Sequence, residues 1–207
     1  MADASRFWDK TADKYARMPI TDEASYQHKL QATRALLRPE MEVLEFGCGT
    51  GSTAILHAPH VQKITAIDLS ERMLEIARDK AAAAGVDNIR FERATIDDYE
   101  AAEGSFDMVL GLSILHLVAD RDAVIRKVHR LLKPGGHFVS STACLGDTMA
   151  FFKVIGPIGK ALGFFPLLRV FKRAELAESI RAAGFEIVED WQPGKGKAVF
   201  VVAKKAA

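Results

Sequence analysis

Short apolar runs alternate with segments of helical period along most of this chain, and that alternation predicts β-α-β units around a parallel sheet. Strands are predicted at residues 42–46, 63–67, 89–93, 106–111 and 136–142, each rich in Val, Ile, Leu or Phe and bounded by turn residues. Between them, residues 52–57, 70–84 and 120–132 carry the helical pattern. Ser70 stands as an N-cap, with Met73, Leu74 and Ala77 on one face of its helix and Gly85 as the stop. Asp120 caps the next, with Val124, Ile125, Val128 and Leu131 turned inward, and Lys133-Pro134-Gly135-Gly136 ends it.

Two more helices, residues 5–17 and 22–37, precede the first strand. After the fifth strand the regular pattern lapses: residues 145–172 are crowded with Phe and interrupted by Gly156, Pro157, Gly159, Gly163 and Pro166. A helix over residues 173–183 then leads to an apolar run at 185–188 and, past Pro193-Gly194, to another at 198–202. That ending reads as an antiparallel hairpin. The expected fold is α/β, with a seven-stranded, mostly parallel, doubly wound sheet closed by this hairpin.

The length of 207 residues suits a single domain with an elaboration, since about 150 residues per domain is usual. With 28 Lys plus Arg against 27 Asp plus Glu there is no global field to gather a polyanion, which argues against a nucleic-acid partner. Cys48 and Cys144 are the only cysteines; without a spacing framework they fit a reducing compartment, and no Cys and His cluster has zinc-site spacing. Residues 1–8 do not read as a secretory signal, and no run approaches the roughly 18 apolar residues that span a bilayer. The expected location is cytoplasmic.

In Val43-Leu44-Glu45-Phe46-Gly47-Cys48-Gly49-Thr50-Gly51 a buried strand runs into a turn with glycine at alternate positions. Glycine is needed where backbone turns tightly and approaches a ligand, and the following helix directs free N–H groups at the turn. A phosphate-binding loop of the Walker type would need Lys before its Ser or Thr, yet Ser52-Thr53 follow Gly51 directly. The dinucleotide fingerprint would need glycine where Ser52 stands. The second apolar run ends in Ile67-Asp68, and Asp68 lies at the distance expected of an acid that accepts both hydroxyls of a ribose.

Together with Phe106-Asp107-Met108-Val109 and Lys133-Pro134-Gly135-Gly136, these motifs resemble, in order and spacing, those of class I (Rossmann-like) S-adenosylmethionine-dependent methyltransferases. The likeness is to the small-molecule, quinone or lipid type and covers nearly the whole chain. It implies that S-adenosylmethionine is the methyl donor and S-adenosylhomocysteine the product. It further implies that Gly47, Cys48, Gly49 and Gly51 line the methionine portion, that Glu45 acts through water or the loop backbone, and that Asp68 grips the ribose. Leu69 or Met73 would pack against adenine.

Where such methyltransferases usually carry Gly-Asp-Ala, this chain has Ala94-Thr95-Ile96. Thr95 would then accept from the adenine amine through its hydroxyl and Ile96 donate its backbone N–H, or Asp97 would substitute. The Gly111 carbonyl would take the amino group of the methionine portion. Residues 1–38 resemble helices that cover the cofactor, with Tyr15 over it, while Trp8 and Tyr15 also suit plain aromatic packing.

Methyl transfer is an in-line displacement that needs no covalent enzyme intermediate, so orientation dominates. A general base is needed only for acceptors that lose a proton; His116, which follows Gly111-Leu112-Ser113-Ile114-Leu115, is the tentative one, a packing or capping role being its alternative. The expected acceptor is a small, hydrophobic or amphiphilic molecule under an apolar lid at residues 145–172. That segment can equally be core packing, a subunit contact, or a peripheral membrane contact through residues 149–173, where Lys153, Lys160, Arg169, Lys172 and Arg173 are interleaved with apolar residues. A catalytically inert cofactor-binding protein is the reading from another class.

Overall fold

The structure is a computed structural model and describes residues 2–161 and 166–207. Its strands are β1 (Glu42–Phe46), β2 (Lys63–Asp68), β3 (Ile89–Arg93), β4 (Phe106–Leu112), β5 (Leu132–Thr142), β6 (Phe185–Trp191) and β7 (Val199–Lys205). They form a seven-stranded sheet in the order β3-β2-β1-β4-β5-β7-β6. The expected α/β architecture is the one observed: the pairs β1-β2, β2-β3 and β4-β5 are parallel, and β7 runs antiparallel to both β5 and β6.

The chain divides into two compact units, Met1–Tyr99 and Glu100–Ala207. In the first, every residue of β1 after Glu42 and of β2 after Lys63 is buried, as befits parallel strands covered on both faces. Four helices belong here: α1 (Ala2–Ala16), α2 (Glu23–Arg34), α3 (Ser52–His57) and α4 (Glu71–Ala83). The Ser70 hydroxyl caps α4 by accepting from the Met73 N–H, Met73, Leu74 and Ala77 are buried, and Gly85 ends it in a left-handed conformation, all as the pattern predicted. Asp22 caps α2 rather than opening it, and α2 stops at Arg34, three residues early, because Pro39 lies just beyond and the chain there closes into tighter turns.

In the second unit, Asp120 caps α5 (Arg121–Leu131) through the Ala123 N–H, and Val124, Ile125, Val128 and Leu131 are its buried face. Lys205 donates to the carbonyls of His129 and Leu132 and so satisfies the far end of that helix. β5 begins four residues earlier than predicted, since Leu132 already pairs with Phe106 before an irregularity brings Met108 opposite His137. The predicted hairpin is β6 and β7; both extend past their apolar runs, and along β6 the exposed positions Glu186, Val188 and Asp190 alternate with buried or half-buried ones. Within the irregular segment, residues Phe152–Ala161 form α6, and α7 spans Arg173–Ala182. The lid reading also takes in residues 162–165, which lie outside the described residues.

Candidate functional site

β1 delivers the chain into the glycine turn at Phe46, and Gly47, Gly49 and Gly51 all take left-handed conformations, with φ of 66°, 53° and 71°. Side-chain-bearing residues resist that region, so three such positions in five residues demand glycine. The reasons differ along the turn. A Cβ on Gly51 would lie 2.9 Å from Ala77 Cβ and 3.2 Å from the Phe91 ring, so this glycine lets the turn pack against α4 and β3. At Gly49 the nearest group is the Tyr15 ring, 3.8 Å away. Gly49 therefore lies under the covering helix rather than in the core.

Asp68, at the end of β2, points at this turn. One carboxylate oxygen accepts from the Gly49 N–H and the other from the Ser70 N–H, both at 2.9 Å. Burial pushes the Asp68 carboxyl up, opposed by the backbone N–H groups of Ser70, Gly49 and Leu69. Backbone thus engages three of the roughly four acceptor sites of this carboxylate, which leaves one for a ligand hydroxyl. Glu45 is 3% exposed, and its Oε2 has no hydrogen-bond partner among the described residues. A cradle of bare backbone with an orphaned carboxyl oxygen beside it fits the amino-acid tail of S-adenosylmethionine.

Cys48 donates its N–H to the Ile67 carbonyl, and its thiol, buried and facing the Gly49 carbonyl at 3.7 Å, is pushed up by loss of water and by the Glu45 and Asp68 carboxylates. Leu69 is half-buried, and Met73 and Ile96 are buried. The Thr95 hydroxyl donates to the Asp98 carboxylate at 2.6 Å and accepts from the Asp98 N–H, closing a local turn and leaving one lone pair for any ligand. Tyr15 is half exposed; burial of its hydroxyl and the Asp68 and Glu45 charges push its phenol up.

Four side chains that brace the turn and the elements beside it escaped sequence reasoning. Lys80 reaches from α4 to the Thr50 hydroxyl at 2.9 Å and the Ser52 hydroxyl at 3.3 Å, bracing the turn from behind. Its spacing of seven residues from Met73 was the one available signal. Asp9 accepts from the Ser70 hydroxyl at 2.6 Å and the Arg72 N–H, and Asp13 takes the Arg72 guanidinium at 2.7 Å, so α1 is clasped to the start of α4. Tyr26 on α2 is hydrogen-bonded to Thr53 and feels the Glu45 charge.

Gly111 and His116 belong to the second unit. Gly111 is buried within β4. The His116 carbonyl accepts from the Arg169 N–H at 2.8 Å, while its buried Nδ1 has no partner among the described residues. Burial drives the imidazole down to about 4, so it is neutral at neutral pH. His57 ends α3 and is 1% exposed, and neither of its ring nitrogens has a hydrogen-bond partner among the described residues.

A protein-family profile described as "Methyltransferase domain" matches residues 43–136. Over 191 residues the chain is 33% identical to the ubiquinone biosynthesis O-methyltransferase of Thiobacillus denitrificans, a match covering 90% of this chain and 80% of that protein. It is 34% identical over 110 residues to the uncharacterised methyltransferase YcgJ of Bacillus subtilis, covering 53% of this chain and 44% of that relative. The crystal structure of YcgJ aligns with a TM-score of 0.72 at 19% identity, covering 87% of this chain and 99% of that one, a likeness of fold.

Proposed function

Because this chain belongs to the S-adenosylmethionine-dependent methyltransferases, we propose that it transfers a methyl group to a small, largely apolar acceptor, a hydroxyl-bearing quinone precursor being the kind its relative's name suggests. The observation that carries this reading is the pairing of Asp68 with the Gly49 N–H, which sets a ribose-binding acid against left-handed, side-chain-free backbone.

In this reading Glu45, Gly47, Cys48, Gly49 and Asp68 hold the donor, with Leu69, Met73, Ile96 and Tyr15 around it. Gly51 contributes by letting the turn pack. Bound there, S-adenosylmethionine supplies an electrophilic methyl group on a sulfonium sulfur. Fixing the turn through Lys80 and the α1 clasp serves orientation, which can lower such a barrier by roughly 7 to 11 kcal/mol in favourable cases. His116 is neutral and so able to take a proton from an acceptor hydroxyl. The Gly111 carbonyl remains a proposed partner of the donor's amino group.

An apolar acceptor suits the stretch around α6, where Phe151 is 56% and Ile155 40% exposed to water. Residues 148–174 hold Lys153, Lys160, Arg169, Lys172 and Arg173 and no acid, which favours a second version in which the acceptor is met at an anionic membrane surface. Arg173 is already paired with Asp190 at 2.9 Å. No described helix is long and apolar enough to cross a membrane.

Calorimetric titration with S-adenosylmethionine and S-adenosylhomocysteine tests the donor site. Asp68→Ala is expected to weaken both by about tenfold or more, that is ~1.4 kcal/mol. Indifference to the substitution sinks the placement. An acceptor screen with labelled donor over phenols, quinone precursors, thiols and lipid extracts, with and without anionic vesicles, tests the acceptor; label found only in polar small molecules would overturn the apolar reading.

A further inference from the structure

Asp68 has one acceptor site left for a ligand hydroxyl, and Ser70 stands beside it with a proton that could fill that site. Ser70 is fully buried and carries two donors, its N–H and its hydroxyl. The N–H donates to one Asp68 oxygen at 2.9 Å. The hydroxyl proton points elsewhere, to the Asp9 carboxylate on α1 at 2.6 Å, while the hydroxyl oxygen accepts from the Met73 N–H at 3.1 Å. Two carboxylates thus share one serine, each taking one of its donors.

The Asp9 charge does not explain this arrangement. Burial and, more weakly, that charge both push the Asp68 carboxyl up, so the charge works against an ionised ribose acid. What Asp9 supplies is an acceptor. The Arg72 N–H meets the same Asp9 oxygen at 3.3 Å, and the Arg72 guanidinium holds Asp13 at 2.7 Å, so the acceptor is fixed where α1 meets the start of α4. A buried donor seeks a partner, because leaving one unmet is costly. With Asp9 removed, the carboxylate already bonded to this serine is Asp68, and a hydroxyl proton turned onto it takes the site that a ribose hydroxyl needs.

We propose that Asp9 is a positioning residue for donor binding: by holding the Ser70 hydroxyl proton, it keeps the last acceptor site of Asp68 open for a ribose hydroxyl. The inference rests on the donor assignment made above. It gives α1 a task separate from laying Tyr15 over the turn, and it readies the cradle for ribose only while α1 is seated on α4. Seating of α1 and binding of the donor therefore favour one another.

The test is calorimetric titration of S-adenosylhomocysteine into the wild-type chain, Asp9→Ala, Asp9→Asn, Ser70→Ala and the double variant Asp9→Ala/Ser70→Ala, each shown by circular dichroism to be folded. Asp9→Ala should bind about fivefold more weakly, the loss that one blocked hydrogen bond entails. Asp9→Asn keeps an acceptor oxygen without the charge and should stay within about twofold of wild type. Ser70→Ala has no proton to misplace and retains the N–H on Asp68, so it should also stay within about twofold, although α4 loses its cap. The double variant should recover, since deleting the hydroxyl removes the competitor that deleting Asp9 released. Ser70→Gly, which caps a helix better than alanine, replaces Ser70→Ala if the latter does not fold.

If α1 acts only as a cover, the double variant binds no better than Asp9→Ala, and that result overturns the proposal. So does Asp9→Asn as weak as Asp9→Ala, or Asp9→Ala as tight as wild type. Any of these, found while Asp68→Ala still weakens binding, sinks the role of Asp9 and leaves the donor assignment standing. Indifference to Asp68→Ala removes both.

Discussion

The glycine turn and the stretch after β5 are held in place by different means. In the turn the polar groups have partners: the Cys48 N–H on Ile67, the Gly49 N–H on Asp68, the Thr50 hydroxyl on Lys80. Beyond residue 145, Phe151 and Ile155 face water, and backbone bonds from Gly146 to Phe171 and from Arg169 to His116 anchor the segment. A hydrogen-bonded cradle is selective, because every polar group left unmatched by the wrong ligand costs about 1 to 3 kcal/mol. An apolar surface discriminates by size, with about 1 to 3 kcal/mol per methylene. Under the proposed function, the first region suits a single donor and the second a range of acceptors.

The contrast breaks most easily at Gly51. Alanine there meets both a left-handed backbone and Ala77 Cβ, so Gly51→Ala should lose about 2 to 4 kcal/mol in chemical denaturation. Gly49→Ala, with only Tyr15 nearby, should lose about 1 kcal/mol. Equal losses would mean that packing does not distinguish the two ends of the turn.

His116→Ala comes next. It should lower turnover about a hundredfold for an acceptor that must lose a proton while leaving cofactor affinity unchanged. The wild-type imidazole loses its proton as pH rises through about 4, so turnover should be level near neutrality and fall only as that value is approached from above. Unchanged turnover in the variant would remove His116 from the chemistry.

The smallest effect belongs to α6. Ile155→Ser should leave stability within about 0.5 kcal/mol, its side chain being 40% exposed. It should nevertheless raise KM for an apolar acceptor about fivefold, the equivalent of burying part of one aliphatic side chain. A large loss of stability with KM unmoved would make α6 a packing element.

Legibility in the sequence followed the range of the interactions. β1, β3 and α3 sit where periodicity put them, and the caps at Ser70 and Asp120 were readable because a cap and its target lie three residues apart. The glycine turn was readable because alternate glycines serve a backbone need that leaves a local trace. Lys80 on Thr50, 30 residues away, and Asp9 on Ser70, 61 away, leave none; they exist only once α1 and α4 are folded together. Range is not the whole account: Asp98 engages the Thr95 hydroxyl from only three residues away, and Gly156 and Pro157 concealed the short helix α6. Proline inside that helix removes one backbone bond without abolishing the rest.

The position of Cys48 bears on how the protein withstands reactive chemicals. Thiolates, not thiols, react with alkylating agents and peroxides, and this sulfur is 8% exposed and held protonated chiefly by burial, with the acids Glu45 and Asp68 beside it adding to the effect. Cys144, also buried, is pushed up to about 12. A cysteine in the middle of the glycine turn is therefore shielded: buried and protonated, it should react with maleimides and peroxides more slowly than an exposed thiol, which thiol titration of the folded chain checks.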